Sequence, residues 1–271
     1  MTGFENKSIA FTKASACGND FLIVPGEGVD AFGETTRRLC DRHNGVGADG
    51  VEWTFSDADS DVRVRLFNAD GSEAEISGNG TRCVAAEICS RTGQQEVKVR
   101  TAAGVKTCRL IERRGSEFDF ESDMGQAEVG AQLSIETMWV RAVGTQVSMG
   151  NPHFVIFVER FPEDWRKQAA LIQTQPQFSQ GTNVEYVVVR GSNDIEIRLF
   201  ERGVGETQSS GTGSCASAVA AIAAQRVKSP VKVIAPGGGQ TVSWENKDNL
   251  NQVYLRGPAR LVCRGEYFLQ T

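Results

Sequence analysis

The chain contains an internal repeat, and this repeat restricts the possible folds more than any other feature. Asp61–Phe67 (DVRVRLF) corresponds to Asp194–Phe200 (DIEIRLF), so position 61 matches position 194, an offset of 133 residues. The same offset, without a gap, aligns the loop Ser77–Gly80 with Ser210–Gly213. Alternating Val and Ile residues often match by chance, but a match that continues through a polar glycine-rich loop does not. The sequence therefore predicts a duplicated domain, with copies of about 130 residues.

The correspondence extends upstream of these segments. Gly50–Trp53 aligns with Asn183–Tyr186 at the same offset, and Gly18-Asn19 aligns with Gly150-Asn151 after a shift of one residue. Two copies of a duplicated domain commonly face each other across a pseudo-twofold axis. We therefore expect equivalent residues of the two copies to contribute to one site.

Each copy shows the same order of predicted elements. Val62–Phe67 and Ile195–Phe200 alternate apolar and charged residues, which predicts strands with one buried face. Alanine-rich segments after the glycine loops predict helices over Thr81–Arg91 and Ser214–Arg226. Further strands are predicted at Ile9–Lys13, Phe21–Val24, Val97–Thr101, Thr107–Glu112, Val140–Val143, Phe154–Val158, Val184–Val189, Val231–Ile234 and Gln252–Leu255.

Many short strands with few helices favour an α+β fold. We predict two homologous, pseudo-twofold-related domains, each a curled mixed β-sheet or barrel around a central helix. The predicted N-terminal domain covers residues 1–125 and is joined by a C-terminal strand, 259–271. The predicted C-terminal domain covers residues 126–258.

Composition excludes several classes of function. The 271 residues carry a net charge of −5 and have a pI of about 5.3, so the chain lacks a basic field for nucleic acid. The apolar stretches are too short to cross a membrane, and Met1–Ala10 does not resemble a secretory signal. The seven cysteines form no CxxC pair, and there are two histidines, so neither disulfides nor a metal site are expected. A cytoplasmic location is expected.

The two Ser-Gly-x-Gly loops are candidate anion-binding sites. A helix N-terminus presents unpaired N–H groups and the positive end of the helix dipole, and glycines allow a ligand to approach the backbone. Each copy therefore predicts a site for a carboxylate or phosphate. The alternative is that Ser77 and Ser210 are ordinary N-cap residues, since serine is favoured there.

Uncharged polar residues cluster near the duplicated loops. They are Asn19, Asn68, Asn79, Asn151, Asn183 and Thr212. A single loop asparagine usually belongs to a turn, but the number here favours a polar pocket. Glu201-Arg202 replaces Asn68-Ala69 in the second copy. This charged pair could bind an ammonium and a carboxylate, or could form a surface ion pair of little energetic value.

At these residues the chain resembles the diaminopimelate epimerase family, and the resemblance covers nearly all of its length. The matching motifs are GNDF (18–21), CDRH (40–43), GVGAD (45–49), NADGSE (68–73), GNGTR (78–82), GNPH (150–153), GTNVE (181–185), ERGVGET (201–207) and GTG (211–213). The family implies a site in the cleft between two similar domains. It inverts one α-carbon of diaminopimelate without pyridoxal phosphate, metal or other cofactor, by means of one thiolate and one thiol.

The resemblance also implies roles for individual residues. The substrate, a small-molecule amino acid, would be bound by Asn19, Asn68, Asn151, Asn183, Glu201 and Arg202. Gly78, Asn79, Gly211 and Thr212 would hold its α-carboxylate. His153 and Glu201 would support the two acid–base residues, although His153 could equally be a buried hydrogen-bonded residue. Members often pair, so a homodimer is a further expectation, whereas no nucleic-acid or membrane partner is expected.

The chain departs from the family at the two catalytic cysteines, which correspond to Ser77 and Ser210. A serine hydroxyl is far less acidic than a thiol and requires a separate base, and no such partner is evident from the sequence for two serines at once. Cys83 and Cys215 lie further along the predicted helices and do not offer a replacement. Gly50 stands where many relatives have glutamine, so one substrate contact is expected to be lost.

Three explanations of the serines remain open. The chain could be an engineered inactive form, although Ser209 and Ser214, which replace the usual alanines, favour natural divergence. It could be a natural relative that catalyses a different isomerase or lyase reaction. It could also be a binding protein that retains the pocket.

Overall fold

The structure, a computed structural model, describes residues 8–247 and 250–269, and the chain divides into two units. Unit 1 comprises the residues up to Glu121 and those from Pro258 onward, and unit 2 comprises Ser122–Gly257. The elements of unit 1 are β1 (Ser8–Ala16), β2 (Asn19–Pro25), α1 (Phe32–Cys40), β3 (Gly50–Phe55), β4 (Val62–Asn68), β5 (Glu73–Ala74), α2 (Gly78–Thr92), β6 (Glu96–Thr101) and β7 (Gly104–Arg114).

Unit 2 contains the later elements of the chain. They are β9 (Glu128–Glu136), β10 (Arg141–Ser148), β11 (Pro152–Phe157), α3 (Trp165–Gln173), β12 (Asn183–Val189), β13 (Asp194–Glu201), β14 (Gly205–Thr207), α4 (Gly211–Ala223), β15 (Val231–Ala235) and β16 (Gly238–Lys247). Two strands, β8 (Glu117–Gln126) and β17 (Leu250–Phe268), have residues in both units.

The two units have the same strand pairing. In unit 1, β1–β2 is antiparallel, β2–β3 parallel, β3–β4 antiparallel, β4–β6 parallel and β6–β7 antiparallel. In unit 2, the same five relations hold for β10–β11, β11–β12, β12–β13, β13–β15 and β15–β16. The register is also repeated, because Glu52 lies opposite Leu66 and Glu185 lies opposite Leu199. The predicted duplication is therefore present in the backbone.

Each sheet curls around one central helix, which confirms the predicted fold class. Helix α2 contacts β1, β2, β6 and β7, while α4 contacts strands β9 to β13, β15 and β16. Both helices are buried on nearly all sides, with small residues such as Ala85, Ala86, Ala218 and Ala220 at or near zero exposure. These small side chains allow a sheet to close tightly around a helix without voids.

The helices differ from the prediction at their ends. Helix α2 begins at Gly78 and α4 at Gly211, three residues earlier than predicted, because the loop glycines already have helical geometry. Helix α4 ends at Ala223 rather than Arg226, since Gln225 has a positive φ of 57°. Helices α1 and α3 were not predicted. Within residues 8–247 and 250–269, no helix is long and apolar enough to cross a membrane.

Candidate functional site

Ser77 is the N-cap of the central helix of unit 1. Its φ and ψ of −125° and 121° are extended, and its Oγ accepts a hydrogen bond from the N–H of Gly80 at 3.1 Å. The capping interpretation is therefore correct. It does not exclude a catalytic role, because a capping hydroxyl still carries a proton and is directed toward the positive end of the helix.

Ser210 caps the central helix of unit 2 and has a further partner. Its Oγ accepts from the N–H of Gly213 at 3.3 Å and donates to Glu201 Oε2 at 3.4 Å. The other carboxylate oxygen of Glu201 accepts from Thr207 Oγ1 at 2.6 Å. Thr207, on β14, therefore orients a carboxylate toward the Ser210 hydroxyl, an arrangement that can take up the serine proton.

A chain of polar side chains leads away from the N-terminus of α2. Asn79 Nδ2 donates to Asn19 Oδ1 at 2.8 Å, and Asn19 Nδ2 donates to Asp49 Oδ2 at 3.2 Å. The buried Arg82 donates to Asn79 Oδ1 and also to the carbonyl oxygen of Pro258. Asn19 and Asn79, both predicted as site residues, therefore lie together, and their amide groups are fixed in orientation.

The equivalent residues of unit 2 are also together. Asn151 Nδ2 donates to Thr212 Oγ1 at 3.4 Å, and Asn151 Oδ1 lies 3.0 Å from His153 Nε2. A carbonyl oxygen only accepts, so His153 Nε2 carries a proton. His153 Nδ1 lies 2.7 Å from Glu185 Oε1, and both side chains are buried. The histidine and the glutamate therefore share a second proton.

Glu185 and its equivalent in unit 1, Glu52, are buried carboxyl groups that the sequence analysis did not identify. Each is 1% exposed, and each has an Oε2 atom that has no hydrogen-bond partner among the residues that the structure describes. Burial raises the pKa of Glu52 to about 8. Burial also raises the pKa of Glu185, where His153 opposes the shift and Glu201 adds to it. The sequence does contain a signal that could have identified them: the two matching apolar segments both have a glutamate at the same position, Glu52 in one and Glu185 in the other.

The third residue of each central helix is a glycine whose adjacent space is occupied, by Glu52 in unit 1 and by Leu199 and Glu185 in unit 2. A Cβ atom added to Gly80 would lie 1.9 Å from Glu52 Oε1 and 3.3 Å from Ser77 Cβ. A Cβ atom added to Gly213 would lie 3.1 Å from Glu185 Oε1 and 3.2 Å from Ser210 Cβ. In each unit, a buried carboxyl group therefore lies beside the capping serine.

Three other predicted residues occupy the loops nearby. Asn183 is buried, and it donates to the carbonyl oxygen of Pro152 and accepts from the N–H of Arg202. The exposed Arg202 side chain donates to the carbonyl oxygen of Gln180 at 2.8 Å. Asn68 is exposed and donates to Ser72 Oγ at 3.1 Å. In the structure all three make loop contacts, and their amide and guanidinium groups retain further hydrogen-bonding capacity.

The cysteines nearest these serines are unsuited to replace thiolate bases. Cys83 and Cys215 are both fully buried, and burial raises the pKa of Cys83 well above its ordinary value. Cys17 is also buried, and burial raises its pKa, against the opposing effect of Arg82. A thiol with a raised pKa remains protonated and unreactive at neutral pH. The candidate acid–base groups at the two helix N-termini are therefore the serine hydroxyls.

Gly50 has no room for a side chain in this backbone. An added Cβ would lie 2.7 Å from the carbonyl oxygen of Phe67, on the paired strand β4. The backbone oxygen of a paired strand moves little, so a longer residue here would require the strand to shift.

Comparison with known proteins shows the family to which the chain is similar. The family model for diaminopimelate epimerase matches residues 11–129 and 145–262. The diaminopimelate epimerase of Desulforudis audaxviator is 38% identical and covers 95% of this chain and 98% of its own. That of Desulfovibrio desulfuricans is 36% identical and covers 97% and 99%.

A solved structure shows the same fold at low sequence identity. The phenazine biosynthesis protein of the PhzF family from Bacillus anthracis is 16% identical, with a TM-score of 0.75 over 97% of this chain and 100% of its own. The family match covers both copies of the repeat and the loops that carry Ser77 and Ser210. This chain belongs to the diaminopimelate epimerase family.

Proposed function

We propose that this chain is a cofactor-independent amino-acid epimerase that converts LL-diaminopimelate to the meso form, with Ser77 and Ser210 in place of two thiols. The observation that carries the proposal is the Ser210–Glu201–Thr207 arrangement. It supplies an acceptor for the proton of Ser210. A binding protein would not require a carboxylate oriented toward a capping hydroxyl.

The proposed reaction has two proton transfers. Ser210 passes its proton to Glu201 while its oxygen removes the α-proton of the substrate, and a second proton is delivered to the α-carbon from Ser77. The N–H groups at the starts of α2 and α4 would stabilise the negative charge that develops on the α-carboxylate. General acid–base groups of this kind contribute about 10²–10⁴-fold each.

The remaining predicted residues would bind the substrate. We assign this role to Asn19, Asn68, Gly78, Asn79, Asn151, Asn183, Glu201, Arg202, Gly211 and Thr212. His153 would act by fixing Asn151 and Glu185. No metal or other cofactor enters the proposed reaction. A homodimer and a cytoplasmic location, both expected from the sequence, remain predictions.

The test is proton NMR of LL-diaminopimelate in heavy water, with this protein and with a Ser77→Cys/Ser210→Cys variant. We expect the unaltered protein to exchange the α-proton and form the meso isomer, and the variant to do so faster, because a thiolate forms more readily than an alkoxide. A Ser60→Cys/Ser192→Cys variant is the control for added thiols away from the helix N-termini. Exchange by the double-cysteine variant alone would mean that the serines disable the epimerase, and exchange by neither would reject the proposal.

A further inference from the structure

The two capping serines have different ionisable neighbours, although their loops are nearly identical in sequence. Beside Ser210 are Glu201, His153 and Glu185. At the equivalent positions of unit 1, the repeat places Asn68, Phe21 and Glu52. Of these three positions, Glu52 alone is ionisable. The surroundings of Ser77, called here the unit 1 half-site, therefore lack both the oriented carboxylate and the histidine that unit 2 has beside Ser210.

Glu52 is placed to act on Ser77. It lies on β3, and its Oε1 occupies the space beside Gly80, the residue whose N–H holds the Ser77 hydroxyl at 3.1 Å. Its Oε2 is buried and makes no hydrogen bond within the described residues. A buried carboxyl group without a partner is costly when ionised, so its protonated form is favoured.

The surroundings of Glu52 agree with a neutral acid. Arg82, Asp20 and Glu52 all act electrostatically on the thiol of Cys83. Arg82 donates to Asn79 and Asp20 pairs with Lys13, and within the described residues neither is paired with Glu52. Burial raises the pKa of Glu52 to about 8, so the group is mostly protonated at neutral pH. Glu185, by contrast, faces His153 at 2.7 Å.

We propose that Glu52 is a positioning residue that acts through Ser77 as the proton reservoir of the unit 1 half-site. This inference rests on the proposed epimerase function. As the Ser77 O–H bond breaks and its proton moves to the α-carbon, the Glu52 O–H bond breaks and its proton moves to Ser77 Oγ. Glu52 is left as a carboxylate and the serine hydroxyl is restored. In the reverse reaction each step runs backward, and Glu52 regains its proton.

The test compares Glu52→Gln with Glu52→Asp. Glutamine keeps the size and hydrogen-bonding capacity of the protonated glutamate but has no acidic proton, whereas aspartate keeps the acid and is shorter. We expect Gln to lower kcat by about 10²-fold or more with little change in KM, and Asp to retain more activity than Gln. If the role were only structural, Gln would be the better substitute, and that result would overturn the inference.

The pH profile gives a second readout. We expect kcat/KM of the unaltered protein to fall above about pH 8, as Glu52 loses its proton, and this limb to move in the Asp variant. Trp53→Phe is the matched control, since Trp53 is the next residue of β3 and donates instead to Thr36. Its kcat per folded molecule should equal that of the unaltered protein.

Infrared difference spectroscopy provides a readout that needs no turnover. The spectrum of the unaltered protein minus that of Glu52→Gln should contain a carboxylic-acid C=O band at neutral pH, and this difference band should disappear with a midpoint near pH 8. Absence of this band would overturn the inference. If the unaltered protein turns over and Glu52→Gln matches it, only this inference fails. If the unaltered protein exchanges no α-proton, the proposed function and this inference both fail.

Discussion

At the scale of single residues, the same sequence motif has two different chemical settings. Both serines cap a helix and accept from the third N–H group. Ser210 also donates to Glu201, whose orientation depends on Thr207. At the equivalent positions near Ser77, the chain has Asn68 and Ala74. A hydroxyl becomes a useful base only when a neighbouring group accepts its proton, so the neighbours decide what each serine can do.

Removal of the Glu201 carboxylate should therefore reduce proton exchange. We expect Glu201→Gln to slow exchange of the substrate α-proton by about 10²-fold or more, and Thr207→Val to slow it less, because the carboxylate is still present but less well oriented. The measurement is the loss of the α-proton NMR signal in heavy water. Glu206→Gln is the control, since Glu206 is adjacent to Thr207 but pairs with Arg166. Equal rates for Glu201→Gln and the unaltered protein would contradict the assignment.

At the scale of elements, each central helix is packed so closely that its third residue has space for no side chain. The limiting group in unit 1 is the Glu52 carboxyl on β3, which approaches the α2 backbone. In unit 2, Leu199 and Glu185 take the same space, since a Cβ added to Gly213 would lie 2.6 Å from Leu199 Cδ2. In both copies, therefore, side chains of the strands approach the helix so closely that only glycine fits at its third residue.

Gly80→Ala should destabilise unit 1, although alanine is the better helix former by about 1 kcal/mol. The added methyl group would displace the Glu52 carboxyl, and we expect a net loss of about 2 kcal/mol in urea unfolding. In a Gly80→Ala/Glu52→Ala variant, the loss of stability should be smaller than the sum of the losses in the two single variants. The reason is that removal of the Glu52 carboxyl group makes room for the added methyl group. Gly78→Ala, in the same helix, is the control, since its added Cβ would lie 3.9 Å from Arg82 Nη1. Additive effects in the double variant would argue against direct competition for space.

At the scale of the whole molecule, buried carboxyl groups make stability depend on pH. Several exposed or half-buried acids have a lowered pKa, and Asp20 is one of them. Burial by itself would raise the pKa of Asp20, but the hydrogen bonds from Arg42 and Lys13 lower it by more. These acids stabilise the folded state above their ordinary pKa. Glu52 changes the stability with pH in the opposite direction, because its pKa of about 8 in the folded state lies above its ordinary value of 4.5. The folded state therefore binds more protons than the unfolded state between these values.

The stability that Glu52 contributes should be fully present below about pH 4.5, decline as the pH rises, and level off above about pH 8. Glu52→Gln should remove this decline, so the variant should gain stability relative to the unaltered protein by up to a few kcal/mol between pH 5 and pH 8. Urea unfolding at several pH values measures the difference in the free energy of unfolding between the two proteins. The contributions of the other titratable groups cancel in this difference. Parallel stability curves for the two proteins would show that Glu52 does not titrate in this range.

Much of the fold could be predicted from patterns of residues that are close together in the sequence. The gapless repeat, the alternating strands such as Val62–Phe67 and the position of Ser77 at a helix start depend on residues close together in the chain, and the structure has all three. Helices α1 and α3 were not predicted, because each is nine residues long and neither begins with a side chain that caps its N-terminus, so the start signal in the sequence is weak.

The sequence by itself determined that the chain is duplicated and that each copy has a capping serine at a glycine-rich helix start. Only the tertiary structure showed that the buried carboxyl groups of Glu52 and Glu185 lie near those helix starts. Glu52 and Glu185 each lie between a valine and an aromatic residue, but Phe21 lies on the strand beside one and His153 on the strand beside the other. The ionisation of a buried acid depends on burial and on neighbours distant in the chain, and these exist only once the strands have paired.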